Sequence, residues 1–357
     1  MGLFDGGQGS AATLARLLNL PVLLVVDVRS AAESVAAVVK GFETLDPQVQ
    51  IAGVILNRVG SERHVQMISD AVKQHCRAEI IGALPRDKKI ALPSRHLGLH
   101  MGTEVELNRQ RLIQLMEEHL DLDLLLEMSR KVDTQQMDAQ QVRPASLGAA
   151  KVRLGVAWDE AFCFYYQDNL DMLEKEGAEL VIFSPLHDAC LPDGLDGLYL
   201  GGGYPELHAE ALAANASMRT EIQAFSRSGK PVYGECGGFM YLTEAIITAD
   251  DKQHSMAGVY PVVSRMQQGL RRLGYRQVEM QTTTILGTAG NHCYGHEFHY
   301  SSIDKMPSYI KRGYILDDGR AEGYLRDNTL AGYVHLHWGR TPEAARHFIR
   351  MMQQMQE

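Results

Sequence analysis

Nothing in this chain resembles a membrane span: no apolar run reaches the ~18 residues that would cross a bilayer as a helix. Cysteine is sparse as well, five residues, an odd number with no CxxC spacing. A disulfide framework and a sulfur-rich metal centre are therefore not expected. Basic charge is in deficit, 35 Lys and Arg against 44 Asp and Glu, for a formal net charge of −9. Sequence-independent nucleic-acid binding needs the opposite balance and is excluded. The opening MGLFDGGQGS has no basic segment leading into an apolar core, so no signal peptide is expected and a reducing cytoplasm is the expected location. What the chain does have is length and glycine. With 357 residues, 45% of them hydrophobic, and 33 glycines, it suffices for two α/β domains with buried cores.

Apolar runs alternate with helical periodicity, the pattern of an α/β protein with a parallel sheet. Pro21–Asp27 reads as a fully buried strand, Ala31–Phe42 as a helix, Gln50–Asn57 as a second buried strand, His64–Gln74 as a helix and Glu79–Pro85 as a third strand. Across Thr134–Gly148 the chain turns polar and loses its period, marking a linker. A second series opens at Val152–Trp158 and continues in strands at Glu179–Ser184, Gly197–Leu200 and Pro231–Gly234. The expected division is 1–133, a partial doubly wound domain; 134–150, a linker; and 151–357, a second α/β domain. The first offers about three strands where an open doubly wound sheet usually has about five or more.

The most informative stretch is Gly234–Glu235–Cys236–Gly237–Gly238, an apolar strand running through Gly-x-Cys-x-Gly into a helical run over Phe239–Ile247. That is the strand–turn–helix pattern of a nucleophile elbow. A thiol at a helix N-terminus faces free N–H groups, which favour its thiolate. Cys76, Cys163, Cys190 and Cys293 lack this setting and read as packing residues. A thiolate attacking an amide also needs an oxyanion site and a base. Gly201–Gly202–Gly203, at the end of a strand, and Gly237 are the candidate oxyanion donors. His335 and His337, on one face of an extended segment, are the candidate bases.

GECGGFMYL, LYLGGGYPE and AGYVHLHWG, with DEAFCFYYQDNLDMLE, FSPLHD and GHEFHYS, resemble the class I glutamine amidotransferase domain of the cobyrinic acid a,c-diamide synthases. Upstream, MGLFDG, PVLLVVDVR, IAGVILNRVGSERH and LPRDKKIALPSRHLGLH are similar to the C-terminal part of that family's ATP-binding domain. The resemblance covers nearly the whole chain. It implies a partial P-loop-type doubly wound domain followed by a flavodoxin-like amidotransferase domain, acting in the corrin pathway to cobalamin. Glutamine would be hydrolysed in the second domain, and ammonia would amidate the a and c acetates of cobyrinic acid, activated in the first by ATP and magnesium. Cys236 matches the family's nucleophile. His335 matches the histidine that raises its nucleophilicity, through the Tyr-x-His context, with His337 in reserve. Asn57 would lie near the adenine; Asp5 and Asp87 are further candidates for the nucleotide site.

The sequence departs from the family in two places. Many class I amidotransferases carry a glutamate two residues after the catalytic histidine, and His337 stands there; the site then works as a Cys–His pair or takes its carboxylate from elsewhere. The family also begins with a Walker A loop. Its nearest counterpart, Gly6–Ser10, lacks the lysine that reaches the β and γ phosphates, so weak ATP binding and exposed apolar surface are expected, with a homodimer one outcome. Amidation of nickel sirohydrochlorin and a bare glutaminase are the alternative activities. His292, Cys293, His296 and His299 have metal-ligand side chains, but their strand alternation argues against a metal site. Arg265, Arg271, Arg272 and Arg276 read mainly as a solvated helix face, with substrate carboxylates as the other option.

Overall fold

A computed structural model describes residues 10–91, 108–130 and 152–356. The chain divides into two compact units, Met1–Gln140 and Gln141–Glu357. Asp5, Gly6–Gly9 and the linker expected at Thr134–Gly148 lie outside the described residues.

In the first unit the elements run α1 (Ala11–Leu17), β1 (Val22–Asp27), α2 (Val35–Leu45), β2 (Ile51–Val59), α3 (Glu62–His75), β3 (Glu79–Pro85), α4 (Arg109–His119) and α5 (Leu122–Arg130). The three strands are parallel, in the order β1-β2-β3. Val39, Val54, Leu56, Ile68 and Val72 form the core under α2 and α3, and Ile55, Ile81 and Leu120 form a smaller one on the other face. The central strand β2 is buried over most of its length, as its unbroken apolar run requires. β1 was expected to be equally buried and is not: Val25 is 57% exposed. Among the described residues β1 pairs only with β2 and stands at an edge of their sheet, and apolar sequence alone does not tell an edge from a centre.

The second unit opens with β4 (Val152–Ala157), α6 (Gln167–Lys175), β5 (Ala178–Phe183), β6 (Gly197–Leu200), α7 (Ala209–Ala214), α8 (Ala216–Arg227), β7 (Val232–Glu235) and α9 (Gly237–Leu242). It continues through β8 (Thr243–Ile247), β9 (Gln253–Ser255), β10 (Tyr260–Met266), β11 (Arg272–Met280), β12 (His292–His299), β13 (Ser301–Ile303), β14 (Lys311–Leu316), β15 (Ala321–Arg326), β16 (Thr329–Gly332) and β17 (His335–His337), and closes with α10 (Glu343–Gln354). Ten strands form one mixed sheet, β17-β12-β11-β14-β15-β16-β7-β6-β4-β5. From β16 to β5 neighbours are parallel, and from β17 to β16 antiparallel. A second sheet takes the order β13-β10-β8-β9. Alternation splits β6 between two cores, Leu198 and Leu200 to one face and Tyr199 to the other, where Trp338 and Phe348 also lie.

Two expectations need correction. The helix after the thiol is α9 alone, six residues long; from Thr243 the chain is strand, because the apolar TEAII segment is held between β10 and β9 rather than continuing the helix. The arginines 265, 271, 272 and 276 belong to β10, β11 and the turn between them, not to a helix. Arg276 there donates to the buried Glu297 at 2.5 Å, so at least that charge is structural.

Candidate active site

The carboxyl ends of β6, β7 and β16 bring three segments together. Cys236 follows β7 with φ 46° and ψ −99°, a conformation that non-glycine residues seldom adopt. The strain is held by backbone bonds on both sides: Cys236 N–H donates to the Gly332 carbonyl at 2.8 Å, and the Cys236 carbonyl accepts from Met240 N–H at 2.9 Å. The glycine after next is sterically required. A Cβ on Gly238 would sit 2.1 Å from the Leu200 carbonyl oxygen, nearer than any real contact.

His335 lies on β17, 6% exposed, three residues beyond the Gly332 that anchors the elbow. A Cβ on Gly202 would stand 2.3 Å from Cε1 of His335, and one on Gly237 would stand 2.9 Å from the Gly203 nitrogen. The glycine loop is therefore the common neighbour of the imidazole and the elbow. His296 on β12 stacks on His335, ring centroids 4.7 Å apart at 11°, and its own Nδ1 is 2.6 Å from the Tyr166 hydroxyl. His337 points elsewhere: its Nδ1 accepts from Gly339 N–H at 3.2 Å and its Nε2 faces Asp168 at 3.2 Å. Of the two histidines, the structure brings only His335 against the glycine loop.

The loop does not serve as a row of three donors. Gly201 N–H donates to the Tyr165 hydroxyl at 2.9 Å, and Gly202 N–H to the Phe164 carbonyl at 3.2 Å. These two are spacers that admit Tyr165 and His335. Gly203 and Gly237 remain: among the described residues no hydrogen bond engages Gly203 N–H, and Gly237 N–H leans on the sulfur of Cys236.

The electrostatics reverse the expectation of a stabilised thiolate. Burial, then the charge of Glu206, push the Cys236 thiol well above its ordinary range, with Glu235 and Glu322 adding to the shift; the Gly237 N–H opposes it without prevailing. A helix of six residues carries too little dipole to compensate for a desolvated sulfur. Burial, aided by His296 and His299, pulls His335 down to about 3. Both shifts favour an uncharged thiol–imidazole pair in the resting enzyme.

Three carboxylates at this edge, Glu235 and Glu322 buried and Glu206 half-buried, had no role in the sequence reading. Glu235, Glu206 and Glu322 are each pushed up to about 7, in every case first by burial. Glu235 was in plain view inside Gly-Glu-Cys. An acidic residue ending an apolar strand beside a nucleophile is the signal that would have found it.

At the corresponding edge of the first unit, Asn57 lies two residues before the end of β2, beside Asp27 of β1, the pair being register partners. Asp27 bonds the exposed Arg58, and Asp87 accepts from Arg111 Nε at 2.7 Å and caps Lys89 N–H at 2.7 Å. Both oxygens of Asp87, the candidate nucleotide-site residue of this strand end, are thus engaged within the protein. Both carboxylates at this edge already face arginines, so the described residues do not form a magnesium site. Of the strand-borne metal-ligand side chains in the second unit, Cys293 and His299 alternate with His292 and His296, and no group of three or more His, Cys, Asp or Glu that could hold a metal ion occurs among the described residues.

Comparison with known proteins gives this geometry its context. Residues 153–343 match the family described as the CobB/CobQ-like glutamine amidotransferase domain, and residues 3–99 match the CobQ/CobB/MinD/ParA nucleotide binding domain. The fold and domains are those of a glutamine-dependent amidating ligase. Cobyrinate a,c-diamide synthase of Dehalococcoides mccartyi is 42% identical over 98% of this chain and 79% of its own length. The enzymes of that name from Syntrophotalea carbinolica, 42% identical over 98% of this chain and 79% of its own length, and Listeria innocua, 40% identical over 96% and 78%, are similar to it as well. The chain belongs to the cobyrinate a,c-diamide synthase family. Among the described residues, no helix is long and apolar enough to cross a membrane.

Proposed function

We propose that the chain transfers the amide nitrogen of glutamine to the a and c acetate carboxylates of cobyrinic acid, with ATP activating those carboxylates as acyl phosphates. Cys236 is the nucleophile. His335 accepts the thiol proton as sulfur attacks the glutamine carboxamide, and the oxyanion of the tetrahedral adduct faces the N–H groups of Gly203 and Gly237. Collapse returns the proton from His335 to the leaving ammonia, and water hydrolyses the thioester to glutamate. Ammonia then displaces phosphate from the activated carboxylate. ATP is proposed from the match of residues 3–99 to a nucleotide binding domain, and the substrate from the names of the relatives. No step is routed through magnesium.

The observation that carries the reading is the strained Cys236 elbow, packed on the same glycine loop as His335. The test is Cys236→Ala, assayed for glutamate release and for diamide formation from cobyrinic acid and ATP. Glutaminase activity should fall by on the order of 10⁴-fold or more, while ammonium salts should still support any amidation the intact protein performs. Undiminished glutamate release in the variant would remove Cys236 from the reaction.

A further inference from the structure

We infer that Glu235, the residue before the nucleophile, is the positioning carboxylate for His335 and takes the place of the glutamate that other class I amidotransferases carry two residues after their histidine. This rests on the assignment of Cys236 and His335 above.

The two oxygens of Glu235 have different partners. Oε1 accepts from the Tyr233 hydroxyl at 2.6 Å and from Leu336 N–H at 3.0 Å, tying β7 to β17. Oε2 accepts from the Tyr199 hydroxyl at 3.1 Å and lies 3.9 Å from Nδ1 of His335. One oxygen thus fixes the strand that carries the histidine, and the other faces its ring. The side chain is almost fully buried, 1% exposed, and no arginine or lysine approaches it among the described residues. Three hydrogen-bond donors aimed at one carboxylate in an apolar core are costly unless the group has work to do there.

At 3.9 Å the pair is beyond hydrogen-bond reach in the resting site, where His335 is neutral. The interaction becomes strong at one moment, when the thiol S–H bond breaks and the proton settles on the imidazole. The Nδ1–H of that imidazolium then faces Oε2 across a desolvated gap, and catalytic contacts commonly shorten on substrate binding. Position 337 cannot supply this carboxylate. Its side chain is a histidine whose ring nitrogens are directed at Asp168 and Gly339.

Glu235→Gln is a close test, because its amide oxygen can keep the Tyr233 and Leu336 bonds while the charge beside Nδ1 is lost. The expected result is a ~10–100-fold fall in glutaminase kcat with KM within about twofold and an unshifted melting temperature. In a His335→Ala background the same change should cost less than about twofold, because Glu235 acts through His335. The wild-type to Glu235→Gln ratio of kcat should rise with pH through about 7, where Glu235 ionises. Tyr199, Tyr233 and His335 face Glu235, with Tyr165, Tyr166 and Tyr314 farther out; these, and the acids Glu206 and Glu322 that titrate in the same range, are common to both proteins and cancel in the ratio. If Glu235→Gln does not fold, Glu235→Asp carries the test, with an intermediate kcat expected. A kcat within twofold of wild type, or an equal loss in the His335→Ala background, overturns the inference. Cys236→Ala measured beside them separates the readings: a dead Cys236→Ala with an active Glu235→Gln sinks this inference alone, and an active Cys236→Ala sinks the mechanism beneath it.

Discussion

The parallel strands of the two units end in carboxyl edges of opposite character. In the second unit the edge is dry: Cys236, His335 and Glu235 are 7%, 6% and 1% exposed, and burial is the largest cause of every shift among them. In the first unit the edge is wet, with Asp27 bonded to an exposed Arg58 and Asp87 held by Arg111. The same strand-end geometry that places ligands in open α/β sheets therefore yields two different chemistries. In a desolvated edge, charge created during a reaction is strongly felt by its neighbours. In a solvated one, side-chain charges are matched in advance and contribute little individually.

The largest effect expected from this contrast lies within one strand. His335→Ala should lower glutamate release by ~10²–10⁴-fold, the usual worth of a positioned general base. His337→Ala, two residues on and half solvated, should cost less than about fivefold, since its partners Asp168 and Gly339 belong to the strand end and not to the glycine loop. Steady-state glutaminase assays on the two variants decide the matter, and the reverse order would exchange their roles.

What the sequence disclosed follows the same division. Gly197–Leu200, the elbow and the segment that carries His335 were legible because short-range chemistry sets them: a glycine wherever backbones touch, an apolar strand before a turn. Less legible was whatever depends on distant chain segments. The edge position of β1 is set by what pairs with it, and the end of α9 at Thr243 by β9 and β10. The engagement of Gly201 and Gly202 depends on Tyr165 and Phe164, and the raised thiol on its burial and then on the charge of Glu206, thirty residues away. Periodicity carries none of this information.

A middle-sized effect separates the edges by pH. Glu206 is pushed up from 4.5 to about 7 by burial, so the folded protein binds its proton more tightly than the unfolded chain does. Its contribution to stability is fully present below pH 4.5 and is lost as pH rises through about 7. Glu206→Gln, which mimics the protonated form, should match wild type at about pH 4 and exceed it by up to about 3 kcal/mol near pH 8. Denaturant melts of the second unit at the two pH values provide the check. A variant equally stable relative to wild type at both would show that Glu206 reaches solvent. His335 works in the other direction: its depressed value withdraws stability as pH falls from 6.5 towards about 3. The comparison must therefore be made between variant and wild type at each pH, so that this contribution cancels.

The smallest expected effect tests the wet edge. Asp87 sits at the end of β3 where a nucleotide ligand was anticipated, yet its oxygens are taken by Arg111 Nε and Lys89 N–H. Its carboxyl is held below the usual range first by the Arg111 hydrogen bond and then by that from Lys89. An acid so occupied stays ionised and is poorly placed to bind a further cation or phosphate-bound metal. Asp87→Asn keeps an acceptor for the Lys89 cap and removes only the charge facing Arg111. Glutamate release should be unchanged and ATP affinity should stay within about twofold, a margin typical of losing one part-buried ion pair away from the bound nucleotide. Asn57→Ala, near the carboxyl end of the central strand beside Asp27, should weaken ATP binding more than Asp87→Asn does. Titration calorimetry with ATP on both variants measures the difference. A tenfold loss confined to Asp87→Asn would mean that the carboxylate exchanges Arg111 for the nucleotide on binding, and that this edge is remodelled by its ligand where the dry edge is built in advance.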